Sequence, residues 1–136
     1  DAWLEESDFT SPGGYQAASR LLEGVRPSAI FASNDLLGIG ALRAAAERGL
    51  RVPQALSVIG FDDIQMSRYV YPALSTVGQS ILQLGELAAQ VLLTRIESAA
   101  PAAATPRILA PQLLLRESTQ APGPHIAGAT VLSPQG

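Results

Sequence analysis

Pro27-Ser28-Ala29-Ile30-Phe31-Ala32-Ser33-Asn34-Asp35-Leu36-Leu37-Gly38-Ile39-Gly40-Ala41-Leu42 is the stretch on which the fold turns. Ala29 to Ala32 form a compact apolar run between Pro27 and a polar cluster, which predicts a short strand buried on both faces. Asp35 is placed to cap the element that follows. Leu36, Ile39, Leu42, Ala45 and Ala46 then recur at three- and four-residue spacing, and Gly49 stands where a left-handed residue would end a helix. A strand that runs straight into an amphipathic helix is the first half of a crossover unit.

The second half follows at once. After Pro53, Leu56-Ser57-Val58-Ile59-Gly60-Phe61 reads as another buried strand, and strand, helix and strand joined by such short connections pair in parallel. Asp62-Asp63 and Asn34-Asp35 thereby fall at the carboxyl ends of neighbouring strands, the edge at which open α/β sheets bind ligands.

Toward the amino terminus, Ser11-Pro12-Gly13-Gly14 opens a helix from about Gly14 to Leu22, with Ser11 as its cap. Toward the carboxyl terminus, Leu74 to Val77 is a third strand, and the Ser80/Gln83 pair opens a helix over about 80–96. The apolar positions of that helix, Ile81, Leu82, Leu84, Leu87, Ala88, Val91 and Leu92, exceed a narrow stripe and predict burial against a partner. An Ala/Pro-rich connection over 98–106 leads to a last strand over about 108–115, demoted to an edge or bulged strand by Pro111. Residues 1–118 thus read as one folded region and 119–136 as a disordered tail.

Composition narrows the chemistry. At 136 residues the chain has room for one ordinary domain or a piece of a larger one, and 47% apolar content argues for a buried core. A net charge of -3, with nine scattered arginines and no lysine, speaks against this chain gripping a phosphate backbone by itself. The absence of cysteine removes disulfides, thiolate metal sites and thiol nucleophiles. Apolar runs such as 99–104 fall well short of the roughly 20 residues that span a bilayer, so no membrane partner is expected. The single histidine, His125, lies in the predicted tail, so no histidine pair exists to activate a serine or hold a metal. No Walker or dinucleotide fingerprint is present, and no metal or cofactor is expected.

Asp62-Asp63 could act as a metal or acid/base pair, or as a turn in which one carboxylate caps local amides. Adjacent residues on extended chain point opposite ways, so only one of the two readily faces a given crevice. Asn34, the single asparagine of the chain, either fixes a loop or joins that carboxylate in recognising a polyol, because an amide and a carboxylate together offer donors and acceptors to hydroxyls.

The run from Pro27 to Leu42 strongly resembles the LacI/GalR family of bacterial transcription regulators. Three further segments agree in order and spacing: Gly49-Leu50-Arg51-Val52-Pro53 leading through Ser57 to Ile64, then Tyr71-Pro72-Ala73-Leu74-Ser75-Thr76-Val77-Gly78-Gln79, and finally Leu115-Arg116-Glu117-Ser118. The resemblance covers about Asp8 to Ser118. It implies part of a periplasmic-binding-protein-like, doubly wound α/β fold with a mostly parallel sheet, incomplete as given. It also implies a non-enzymatic, cytoplasmic regulator that binds a small sugar-like or nucleobase-like effector in a cleft between two subdomains. Operator DNA would be bound through a helix-turn-helix headpiece, which would lie before Asp1 together with the family's effector-binding arginine.

Residues matching effector-contacting positions are Phe9, Asn34, Asp62 and Gln79. Homodimer contacts match Ile39, Leu42, Arg43, Met66, Tyr69 and Val70, each of which could instead be core or ordinary surface. The resemblance places the partner of helix 80–96 in the other subdomain, which leaves its apolar side uncovered here. Periplasmic sugar-binding proteins of transport systems share the Asn-Asp and Gly-Phe-Asp segments and are the alternative. The Pro-x-Leu-Ser-Thr-Val stretch and the closing Arg-Glu-Ser favour the regulator.

Overall fold

The computed structural model describes residues 2–97 and 106–122. Helix α1 (Ser11–Gly24) starts slightly earlier than its sequence suggests, because Thr10 rather than Ser11 is the cap: its hydroxyl oxygen accepts the Gly13 N–H at 3.1 Å. Pro12 sits in the first turn, where a missing N–H costs nothing. Strand β1 (Ala29–Phe31) and helix α2 (Asp35–Glu47) come next, and α2 runs out into Gly49 at φ +67°, the left-handed closure expected of that glycine. Strand β2 (Ser57–Asp62), a 3-10 turn (Gln65–Arg68), strand β3 (Ser75–Gly78), helix α3 (Ile81–Glu97) and strand β4 (Gln112–Leu114) complete the order.

The four strands form one sheet in the order β1-β2-β3-β4; the first three are parallel and β4 joins β3 antiparallel at the edge. Pro111 lies just before β4, so its missing N–H falls outside the ladder. The architecture is therefore mixed α/β with a mostly parallel sheet.

The core lies on one face of that sheet, where Ile30 and Val58 meet Ala18 and Leu22 of α1 and Ala41, Leu42, Ala44 and Ala45 of α2, together with Leu56 and Leu74. The two helices touch backbone to backbone: a Cβ on Gly14 would stand 2.4 Å from the Leu37 carbonyl oxygen, and one on Gly40 would stand 2.2 Å from that of Ser11. β1 departs from the expectation of burial on both faces. Ile30 is buried, but its neighbours are open and Phe31 is 65% exposed, the alternation produced when one side of a strand alone is packed.

Helix α3 departs likewise from the burial expected of its wide apolar surface. None of its residues is buried, and Ile81, Leu82, Leu84 and Leu92 face solvent.

The carboxyl-terminal segment ties the sheet together. Ser118 donates its hydroxyl to the Val58 carbonyl at 2.6 Å and accepts the Ser75 N–H at 2.8 Å, bridging β2 and β3 from a fully buried position. The attachment continues past the boundary drawn at 118: the Ser75 and Thr119 hydroxyls share a 2.8 Å hydrogen bond, and the Gln120 N–H donates to the Ser57 hydroxyl at 3.3 Å. His125 and the Ala/Pro-rich run over 98–105 lie outside the described residues.

Candidate functional site

Sheet register brings the chemistry together. Phe31 stands opposite Ile59, so Asn34 and Asp62 each lie three residues beyond a paired position, while Asp62 stands opposite Gly78, the residue before Gln79. Asn34, Asp62 and Gln79 thus share the carboxyl edge of the parallel strands.

Phe9 is brought to the same edge by Asn34. The Asn34 side-chain N–H donates to the Phe9 carbonyl at 3.0 Å, while its Oδ1 accepts the Leu37 N–H at 2.8 Å. Asn34, not Asp35, is therefore the cap of α2, and its amide fixes the loop that carries the aromatic ring. Phe9 adopts φ +61°, a costly left-handed conformation for a bulky residue, and the residue is 58% exposed. Phe9 is therefore no part of the core.

At the end of β2 the chain passes through two consecutive left-handed residues, Asp62 at φ +109° and Asp63 at φ +56°, which send the carboxylates to different surroundings. Asp63 binds the Arg68 guanidinium at 2.8 Å and that of Arg116, which also donates to the Leu74 carbonyl at 2.8 Å. Burial pushes the Asp63 carboxyl up, but hydrogen bonds from Arg116 and Arg68 outweigh it and hold the group below the ordinary aspartate value. Asp62, by contrast, has no side-chain partner among the described residues. Burial, and then the negative charge of Asp35, raise its proton affinity. One carboxylate is structural and the other is available.

Asp35 is the participant that sequence reasoning assigned to the wrong job. It is fully buried; Oδ2 accepts the Ile64 N–H at 2.9 Å and the Ser67 hydroxyl at 2.5 Å, and Oδ1 accepts the Thr76 hydroxyl at 2.5 Å. A signal was present, because Asp35 shares the helical face of Gly38 and Leu42, both buried.

Gln79 is exposed and opens, with Asp63, Ser80, Gln83 and Gln112, onto a polar hollow of about 320 Å³ beside α3, rather than onto the Phe9 loop. Among the dimer candidates, Leu42 is only 7% exposed and belongs to the core, so it offers no contact surface, and Val70 is half-buried against the same core. Ile39 and Arg43 line an open, mainly apolar groove of about 530 Å³ between α1 and α2, with Arg43 paired to Glu47 at 2.6 Å. Met66 and Tyr69 project from the 3-10 turn and are 56% and 75% exposed. No cluster of three metal-ligating side chains and no helix able to cross a membrane occur among the described residues.

Comparison with known proteins agrees with the fold. The family model for the periplasmic binding protein-like domain matches residues 2–119. The HTH-type transcriptional repressor PurR of Erwinia tasmaniensis is 43% identical over 126 residues, covering 92% of this chain and 36% of that protein. The ribose operon repressor of Haemophilus influenzae is 42% identical over 117 residues, covering 85% of this chain and 35% of that protein. The chain thus spans about a third of the length of these curated relatives.

Among solved structures, a LacI-family regulator from Enterococcus faecium with bound ribose superimposes with a TM-score of 0.74 at 35% identity, covering 83% of this chain and 41% of that one. A LacI-family regulator from Arthrobacter sp. FB24 in complex with lactose gives a TM-score of 0.76 at 33% identity, covering 84% and 43%. With its family model, its relatives and its fold in agreement, the chain belongs to the LacI/GalR family of transcriptional regulators, as part of their periplasmic-binding-protein-like effector-binding core.

Proposed function

We propose that this chain is the effector-sensing and dimerising region of a cytoplasmic, DNA-binding transcriptional repressor, and that it takes a small sugar-like or nucleobase-like ligand at the carboxyl edge of its sheet. The observation that carries the reading is Asp62, a carboxylate without a side-chain partner at the carboxyl edge of the sheet, the edge to which Asn34 also holds the loop of the exposed Phe9. A carboxylate accepts hydrogen bonds from hydroxyls or ring N–H groups, and an aromatic face covers the apolar side of a sugar or base. Asn34 acts by holding Phe9, with part of its amide left to meet the ligand. Gln79 approaches from the neighbouring hollow.

The solved relatives described with ribose and lactose favour a carbohydrate-like effector. Curated relatives that are repressors favour a regulator over an enzyme or a transport carrier. The homodimer would form through the exposed Arg43, Met66 and Tyr69 with the half-buried Ile39 and Val70, and operator DNA would be read by a headpiece outside this chain. Ligand binding would act by favouring one of two arrangements of the parent dimer.

Calorimetry of the parent protein against a panel of sugars and nucleosides tests the reading. Asp62→Ala is expected to weaken the best ligand by about tenfold or more, the size of one hydrogen bond to a charged group. Unchanged affinity would remove Asp62 from the site.

A further inference from the structure

Among the described residues Asp35 is the buried side chain with the most hydrogen bonds, and ligand contact does not account for them, because it is fully buried. All three of its partners donate: the Ile64 N–H and Ser67 hydroxyl come from the turn that follows Asp62-Asp63, and the Thr76 hydroxyl comes from β3. The sheet is shaped around it. A Cβ on Gly60, two residues before Asp62 on the same strand, would stand 2.2 Å from Asp35 Oδ1.

The Ile64 contact lies two residues beyond Asp62. The two residues before Ile64 are both left-handed, a path that an aspartate does not keep unless its surroundings enforce it. Asp63 is clamped by Arg68 and Arg116 on one side of that path, and the Ile64 N–H is clamped by Asp35 at its end. The direction in which the Asp62 carboxylate leaves the chain is thus constrained by Asp35 from the interior and by the two arginines that hold Asp63.

We propose that Asp35 is the positioning residue for the effector-binding carboxylate: through Ile64, Ser67 and Thr76 it aims Asp62 and joins the effector edge to the turn that carries Met66 and Tyr69. The proposal rests on the reading of Asp62 as an effector contact. The negative charge of Asp35 also raises the proton affinity of Asp62, which makes it a stronger acceptor for a ligand donor.

The test uses the full-length parent with ribose and lactose as probes, comparing wild type, Asp62→Asn, Ser67→Ala and the double variant by calorimetry, with Thr76→Ser as a conservative control. Ser67 is fully buried, so a direct ligand contact is not open to it. Ser67→Ala is expected to weaken probe binding more than about threefold, and the double variant to bind no more weakly than Asp62→Asn alone, the non-additivity of two residues acting through one contact. Thr76→Ser, which keeps the donor, should bind as wild type does. Unchanged binding in Ser67→Ala, or fully additive losses, would overturn the proposal.

A ligand-free readout separates its failure from failure of the effector reading. Amide exchange across 62–70 should quicken in Ser67→Ala, and more so in Asp35→Asn, while exchange in α1 stays as in wild type. Equal exchange across 62–70 would overturn the anchoring role whatever the probes do. Normal anchoring with Asp62→Asn binding both probes as tightly as wild type would overturn the choice of Asp62 as the residue aimed.

Discussion

Asp62 and Asp63 are identical in chemistry and adjacent in sequence, yet their surroundings give them opposite properties. Two guanidinium groups hold Asp63 ionised against the effect of burial, whereas burial and the charge of Asp35 raise the proton affinity of Asp62. The signs decide how stability responds to pH. The lowered folded value of Asp63 contributes stability that is present above its ordinary value of 3.8 and is lost as pH falls through the folded value; the raised value of Asp62 favours the fold below 3.8 and ceases to do so as pH rises.

Arg116, 16% exposed in its side chain, anchors Asp63 and also holds the Leu74 carbonyl. Arg116→Met is expected to cost the parent about 2–3 kcal/mol at neutral pH. Denaturant melts of wild type and variant should converge as acid protonates Asp63, and a gap independent of pH would remove the ion pair from the account. The sequence showed that at most one of the two aspartates could face a ligand. It did not show which, because the deciding partners, Arg68 and Arg116, lie five and 53 residues away.

At the scale of elements, the crossover unit was legible because its signals are local: an apolar strand, a capped amphipathic helix closed by Gly49, and a second strand after Pro53. Cap identities shifted by a residue, since both Thr10 and Ser11 have a suitable hydroxyl and the turn made with Asp8 selects Thr10. The opposite happened to Asn34 and Asp35, where the asparagine took the cap and freed the aspartate for the interior.

The crossing of α1 over α2 could not be read from the sequence, because Gly14 and Gly40 register as small residues until the helices are seen to meet through them. Gly40→Leu places a branched side chain where backbone atoms stand 2.2 to 2.8 Å from the Cβ position, and is expected to destabilise the fold by about 3 kcal/mol. A melting midpoint equal to wild type would show that the helices slide apart at little cost. At the 3-10 turn, Tyr69→Asp should weaken dimerisation of the parent by about tenfold or more in sedimentation equilibrium, as loss of an exposed aromatic anchor does. An unchanged dimer would move the interface elsewhere.

For the molecule as a whole, the apolar surfaces left uncovered among the described residues include the face of β1 that bears Phe31 and most of α3. Apolar patches of this kind drive association in water. The isolated chain is expected to sediment as oligomers at micromolar concentration, and replacing Leu82, Leu92 and Ile96 by glutamine should shift it toward monomer. A sharp, concentration-independent monomer melt would show instead that the chain is stable with both faces bare. The composition, 47% apolar, pointed to a buried core, and among the described residues that core lies on one face of the sheet.

On the proposed function, a ligand held by Asp62 would alter how the parent dimer binds DNA. Operator affinity of the full-length protein, titrated with and without its tightest-binding sugar or nucleoside in wild type and in Asp62→Asn, measures this directly. The expected result is a shift in wild-type DNA affinity of about fivefold to 150-fold on ligand addition, lost in the variant at ligand concentrations that saturate wild type. Operator affinity that does not change while the ligand is demonstrably bound, or a shift of full size in Asp62→Asn, would contradict it.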